Sequence, residues 1–209
     1  KPCQSLFKLS KMKQPDLENF VGIHNRKYCD GGQCIRLYKT FMKKKDPEAA
    51  NIVMGHNEED LLGLGTIFSL LAYKKLYDGE YHPKQCVILE QELKIVIELS
   101  AATPVNVSCG NSDFYLSVNG CEARMLVHLK EGKLRQYYRN YKDYEFIPGE
   151  DTAMPKSITR YMDKSLKIAT TPQTCYTWFN CDEDFLNNEK KQMQYLTHTL
   201  PFFLDNLNK

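Results

Sequence analysis

Apolar positions recur at helical spacing over the first part of the chain and alternate over the second. Asp16 to Ile23 carries Leu17, Phe20 and Val21 on one side of a predicted helix, and Asp30-Gly31-Gly32 then breaks the chain. From Gln33 to Met42, Ile35, Leu37, Tyr38 and Phe41 again recur near helical spacing. Lys43-Lys44-Lys45-Asp46-Pro47 ends that helix and opens another, with proline in the first turn, where its missing N–H costs nothing. Glu48 to Tyr77 reads as one long helix or two abutting ones. Ile52, Val53, Leu61, Leu64, Ile67, Phe68 and Leu71 form a wide apolar stripe predicted to pack, interrupted by polar residues around His56 and Asp60.

Near His82-Pro83 the pattern changes, which divides the chain into residues 1–81 and 82–209. Cys86 to Glu90 and Leu93 to Leu99 are rich in Val, Ile and Leu. Phe114 to Val118, Asn119-Gly120 and Cys121 to Leu129 predict a hairpin, because Asn-Gly accepts the positive φ angles of a tight turn. Glu131-Gly132 predicts a second turn, with Lys133 to Tyr141 as the third strand of a meander. Such a sheet needs a cover. Lys156 to Ile168 is the predicted covering helix, with Ile158, Tyr161, Met162, Leu166 and Ile168 on its buried side; Asn187 to Leu207 is a further helical segment that Pro201 would interrupt. The expected class is α+β: helices first, then an antiparallel β-rich domain with a covering helix.

Composition narrows the function classes only slightly. The 209 residues are 42% hydrophobic and 26% charged, ordinary for a globular chain, and the net charge of +2 leaves any basic site to be local. No apolar run approaches a membrane span, so no membrane partner is expected, and the start at Lys1 reads as a processed protein or a fragment. The eight cysteines include no Cys-x-x-Cys, and several sit in apolar strand patterns, which points to free thiols in a cytoplasmic protein. A secreted, disulfide-stabilised protein is the rival, and only then would the sequon at Asn106 matter.

Chemistry concentrates at His56-Asn57-Glu58-Glu59-Asp60. Four residues apart on a helix, His56 and Asp60 share a face; a carboxylate there suits a hard divalent cation, and an adjacent imidazole suits deprotonation of an attacking water. The plainer alternative is a solvated acidic first turn with Asn57 or Glu58 near an N-cap. His24, His82, His128 and His198 stand singly and read as surface or capped side chains, and phosphate-binding glycine loops and nucleophile elbows are absent.

Several segments together resemble a specific family. They are residues 13–23, 30–38, 140–144, 150–153 and 156–157 and, above all, His56-Asn57-Glu58-Glu59-Asp60-Leu61-Leu62-Gly63-Leu64. In these the chain resembles the C-terminal portion of YprB-like bacterial exonucleases, which have an RNase H-like fold and are related to the DEDD-type proofreading exonucleases. The resemblance implies that residues 1–81 are the last helices of an RNase H-like nuclease domain and that residues 82–209 are a family-specific β-rich domain. It implies that Asp60 is the last catalytic carboxylate and a metal ligand, that His56 helps activate the water, and that the cofactor is Mg²⁺ or Mn²⁺. Such nucleases also need an Asp-x-Glu and another Asp upstream of the histidine motif. Asp46-Pro47-Glu48 sits in a helix-start context and Asp143-Tyr144-Glu145 follows the motif, so both read as turn residues. The missing N-terminal part of the same protein is then an expected partner.

A second constellation interleaves cations and rings: Lys133, Arg135, Tyr137, Arg139 and Lys142. Such a strand suits single-stranded DNA or RNA, with bases on rings and phosphates on cations; the alternative is an exposed strand whose charges discourage edge pairing. Two function classes follow: part of a metal-dependent 3′–5′ exonuclease, or a noncatalytic nucleic-acid- or protein-binding module on a nuclease-like scaffold.

Overall fold

The computed structural model describes residues 3–24, 26–28 and 30–207. Cys29 and the outermost residues of both predicted domains lie outside this set. The chain divides into two compact units, one spanning Leu9–Leu71 and the other formed by the residues up to Lys8 together with those from Ala72 onward.

Helix α1 (Gln4–Phe7) belongs to the larger unit. The smaller unit is helical: α2 (Gln14–Phe20), α3 (Gly31–Lys44) and α4 (Pro47–Ile67), followed by a turn of 3₁₀ helix at Phe68–Leu70. Local chemistry sets these limits. Asp30 caps α3 by accepting the Gln33 N–H, and Asp46 caps α4 by accepting the Glu48 N–H, with Pro47 in the first turn. Asp46 is thus a capping residue.

Packing of α4 departs from the predicted stripe. Its buried positions are Ala49, Gly55, His56 and Gly63, whereas Leu61 and Phe68 are 71% and 65% exposed, and Met54, Leu62, Leu64 and Leu71 are exposed as well. Two stripes of seven-residue spacing explain the difference. Ala49, His56 and Gly63 run down one face, and Met54, Leu61 and Phe68 run down the opposite face. The small stripe lets neighbours approach closely, and so it takes the contacts. His56 also lies well inside α4, which removes the alternative of an N-terminal first turn at Asn57 or Glu58.

In the larger unit, α5 (Leu71–Asp78) leads into β1 (Tyr81–Leu89), β2 (Glu92–Leu99), β3 (Val107–Gly110), β4 (Phe114–Asn119) and β5 (Glu122–His128). These five strands form one antiparallel sheet in the order β1-β2-β5-β4-β3. The predicted β4–β5 hairpin forms, but its turn lies one residue on: Asn119 ends β4 and pairs with Glu122, and Gly120-Cys121 make the turn, with Gly120 at φ 56. The Glu131-Gly132 turn also forms, both residues having positive φ.

The strand after that turn does not extend the meander. β6 (Lys133–Tyr137) pairs with the distant β10 (Tyr176–Asn180) in a separate two-stranded sheet. A third sheet, in the order β8-β7-β9, is built from β7 (Tyr144–Ile147), β8 (Thr152–Pro155) and β9 (Ile168–Ala169).

The predicted cover at Lys156 to Ile168 is also corrected. Only α6 (Lys156–Thr159) is α-helical there; Asp163 then caps a 3₁₀ turn at Lys164–Leu166, and Ile168 is spent on strand pairing with Phe146. Ile158, Tyr161, Leu166 and Ile168 are all exposed. The cover comes from the C-terminal segment. After the short α7 (Glu183–Leu186), helix α8 (Glu189–Asp205) runs through Pro201 without ending and packs on β6 and β1. Its Phe203 stacks on Phe114 of β4 at 4.0 Å and its Phe202 on Tyr137 of β6 at 3.7 Å, so adjacent aromatics clamp two sheets. Leu93, Ile95, Leu116, Met125, Leu134, Leu196 and Leu200 fill the core. The class is α+β, and no described helix is long and apolar enough to cross a membrane.

Candidate functional site

Helix α4 presents His56 and Asp60 one turn apart, with Nε2 of His56 at 3.6 Å from Oδ2 of Asp60. That gap is too long for a direct hydrogen bond. The imidazole is 8% exposed, and its Nδ1 is buried without a hydrogen-bond partner, so Nε2 is the nitrogen turned toward the carboxylate.

The other oxygen of Asp60 is occupied by Arg26, which no motif or spacing singles out. Arg26 places Nη2 at 2.5 Å from Asp60 Oδ1 and binds Glu18 in two-pronged fashion, Nε to Oε2 at 2.6 Å and Nη2 to Oε1 at 2.8 Å. Glu18 is only 2% exposed. The Arg26 hydrogen bonds hold its carboxyl below the ordinary value of 4.5 despite burial, and the pairing pushes the guanidinium up in turn. Gln14 adds a strap: its Nε2 donates to Glu18 Oε1 and to the Asp60 backbone carbonyl, both at 2.9 Å. The adjacent residue, Glu59, accepts the backbone N–H groups of Lys27 and Tyr28.

This closeness depends on glycine. A Cβ on Gly63 would fall 1.9 Å from Glu18 Oε1, and one on Gly55 would fall 2.2 Å from the Tyr28 ring. Only a helix without side chains at these positions lets the carboxylate and the ring lie against its backbone.

A divalent cation asks for several oxygen ligands with room around them. Asp60 is a single carboxylate facing a guanidinium on one side and an imidazole on the other, and among the described residues no group of three or more His, Cys, Asp or Glu side chains could hold a metal ion. The described residues therefore do not fit a Mg²⁺ or Mn²⁺ centre by themselves. Asp143-Tyr144-Glu145 supplies nothing either: Asp143 accepts from Asn140, and Glu145 pairs with Lys167 at 2.9 Å and with the Thr159 hydroxyl.

The cation-aromatic strand is dispersed by the fold. Lys133 is exposed at the start of β6, and Lys142 is exposed in a 3₁₀ turn at Tyr141–Asp143. Tyr137 is 6% exposed and one face of its ring is stacked on Phe202, so it does not stand on an open strand surface. Arg139 lies over the Tyr77 ring and donates to its hydroxyl at 2.6 Å. Arg135 is different. Its guanidinium sits 4.6 Å from the Tyr176 ring centroid and 4.7 Å from that of Trp178, at the wall of a cavity of about 290 Å³. Trp178, the one tryptophan of the chain, was the available signal for this place.

The remaining histidines stay scattered. His82 is exposed and 3.8 Å from Glu189, His24 is near Asn19, and burial lowers the pKa of the half-buried His198.

No curated protein and no solved structure matches the chain. A family model of the RNase H superfamily matches residues 2–72, the helical segment that carries Glu18, Arg26, His56 and Asp60, and on this the N-terminal third of the chain has an RNase H-like relationship.

Proposed function

We propose that this chain carries the C-terminal helices of an RNase H-like nuclease domain of the YprB-like kind, joined to a β-rich domain, in a protein that shortens DNA or RNA from a 3′ end. One observation carries the reading. Within the segment matched by the RNase H superfamily model, His56 and Asp60 face one another across 3.6 Å on a single helix face. In this reading Asp60 is the carboxylate that contributes to a Mg²⁺ or Mn²⁺ site, with further carboxylates supplied from outside the described residues, and His56 takes the proton of the attacking water at Nε2. The exposed stripe of Met54, Leu61 and Phe68 supports a larger domain, since monomers rarely leave such a face to water. The rest of the same polypeptide's nuclease domain is the proposed cover.

The test is hydrolysis by the purified 209-residue chain, using labelled single- and double-stranded DNA and RNA with Mn²⁺. The expected result is little or no cleavage, because one carboxylate cannot neutralise a phosphoryl transition state with two cations. Robust cleavage lost in Asp60→Asn would place the whole site inside this chain and overturn the assignment of missing ligands.

A second reading draws on the absence of a three-ligand group among the described residues. There the chain is a noncatalytic nucleic-acid-binding module, with Lys133, Arg135, Arg139 and Lys142 meeting single-strand phosphates. Nucleic-acid binding with an ordinary salt slope, and no cleavage by the complete protein, would favour it.

A further inference from the structure

We propose that the cavity walled by Arg135 and Trp178 is a binding site for a phosphate-bearing ligand of about nucleotide size. The inference concerns the larger unit alone and does not depend on the nuclease reading of His56 and Asp60.

It starts from an arginine held by rings instead of acids. The Arg135 guanidinium lies against both Tyr176 and Trp178, and it forms no ion pair with any described carboxylate. Its Nε is buried and has no hydrogen-bond partner. A buried, unpaired charged donor is costly, and such groups call for an acceptor. The clamp that creates this situation is itself well fastened. Asp151 accepts the Tyr176 hydroxyl at 2.5 Å through Oδ1, and the Trp178 indole N–H through its backbone carbonyl at 2.9 Å and Oδ2 at 3.1 Å. Asp151 is therefore spent on the rings. They fix the guanidinium plane; Tyr137 takes one of its hydrogen bonds, and the buried Nε is left for another acceptor.

The cavity that Arg135 lines has the composition of a small-ligand site. Its floor is apolar, from Val127, Tyr137 and Phe203, and its volume of about 290 Å³ is near the lower end for such sites. A second cation, Lys130, stands 5.6 Å from the Trp178 ring centroid at the same cavity, and His128 also lines it. One carboxylate, Asp113, also lines the pocket and can accept from a hydroxyl or amino group of a ligand. A planar arginine fork plus a lysine suits the shape and double charge of a phosphate. The apolar floor suits the body that carries it. A free nucleotide and the phosphorylated end of a single strand share this chemistry.

Because Trp178 is the only tryptophan, its fluorescence reports on this pocket. The full chain is titrated with inorganic phosphate, adenosine monophosphate, benzoate, and a short single-stranded oligonucleotide with and without a terminal phosphate. The expected result is a saturable change with adenosine monophosphate, weakened roughly tenfold or more in Arg135→Gln and severalfold in Lys130→Ala. Tighter binding of the free nucleotide identifies a small-molecule site, and tighter binding of the phosphorylated strand a strand-end site; either upholds the proposal. No saturable response to any phosphate probe, or benzoate binding as tightly as adenosine monophosphate, would overturn it. If Arg135→Gln does not fold, Lys130→Ala decides, since Lys130 is exposed; unchanged affinity in that variant would likewise overturn it. Binding that persists in Asp60→Asn separates this site from the nuclease reading, whichever way the latter falls.

Discussion

One nitrogen of Arg26 serves two carboxylates, with Nη2 at 2.5 Å from Asp60 and 2.8 Å from Glu18. The bridge ties α2 to the middle of α4, with the guanidinium placed between an acid that water reaches and one that it does not. The two acids are not equivalent. Asp60 is a third exposed on its side chain, so its contact with Arg26 is screened, while Glu18 depends on Arg26 to stay ionised in its burial.

Arg26→Met should therefore destabilise the helical unit by about 3–5 kcal/mol, the usual cost of leaving a buried charge unpaired. The pH dependence gives a second check. In the native chain the Glu18 pKa lies below 4.5, so the pair stabilises above that value, and the contribution disappears as pH falls through the depressed pKa. In Arg26→Met burial outweighs the remaining Gln14 hydrogen bond and raises the carboxyl, so acidification should stabilise the variant over the range where the native chain weakens. Denaturant melts at several pH values measure both effects. Parallel pH profiles would mean that Glu18 does not rely on Arg26.

The glycines of α4 predict a contrast within one helix. Gly65→Ala has nothing within 4 Å of the new Cβ and should gain roughly 0.5–1 kcal/mol from helix propensity. Gly63→Ala should instead destabilise, because the Cβ meets Glu18 Oε1, and that oxygen is pinned by Arg26 and Gln14. Gly55→Ala should lie between them, since the Tyr28 ring it meets is exposed and can swing aside. Thermal melts of the three variants should rank Gly65→Ala above Gly55→Ala above Gly63→Ala.

How much of this was legible in the sequence follows from which forces are local. Asn119-Gly120 announced its hairpin, and Asp46-Pro47 its helix start, because turn and cap chemistry is written in adjacent residues. Apolar size does not mark the buried face of α4, because Ala49, Gly55 and Gly63 win the contacts by being small. The partner of β6 was not legible. β10 lies about forty residues further on, and alternation shows that a strand exists without showing what it pairs with. Arg26 and Glu18 were invisible for the same reason, since nothing in their spacing relates them to Asp60. Lys156 to Ile168 carried a helical pattern, yet the caps inside it, Asp163 above all, divide it into short turns.

Thiol reactivity should follow burial. Burial pushes the thiols of Cys3, Cys109, Cys175 and Cys181 up to about 11 and that of Cys86 to about 12, whereas Cys121 is exposed. At mildly alkaline pH a thiolate-specific reagent should label Cys121 quickly and these five only on unfolding. Peptide mapping after a short pulse checks this. Early labelling of Cys109 or Cys175 would show that the larger unit opens locally.

The sharpest discrimination at the candidate site comes from Asp60→Asn in the protein proposed above to be a nuclease. The amide keeps the side chain's shape, its oxygen can still accept from Arg26, and the Gln14 bond runs to the Asp60 backbone, which the substitution does not touch. Stability should therefore change by no more than about 1 kcal/mol, the range for a part-exposed ion pair. If Asp60 is a catalytic ligand, turnover should nonetheless fall by orders of magnitude, since the lost charge is what holds the cation. His56→Ala should lose about 10²–10⁴-fold, the contribution of a general base. It should also cost some stability, because the imidazole is buried in α4, so its activity is compared per folded molecule. A structural Asp60 behaves in the opposite way: the melting temperature drops while activity per folded molecule is unchanged. That pattern would leave the Arg26 bridge as the full explanation of why an aspartate stands one turn after His56.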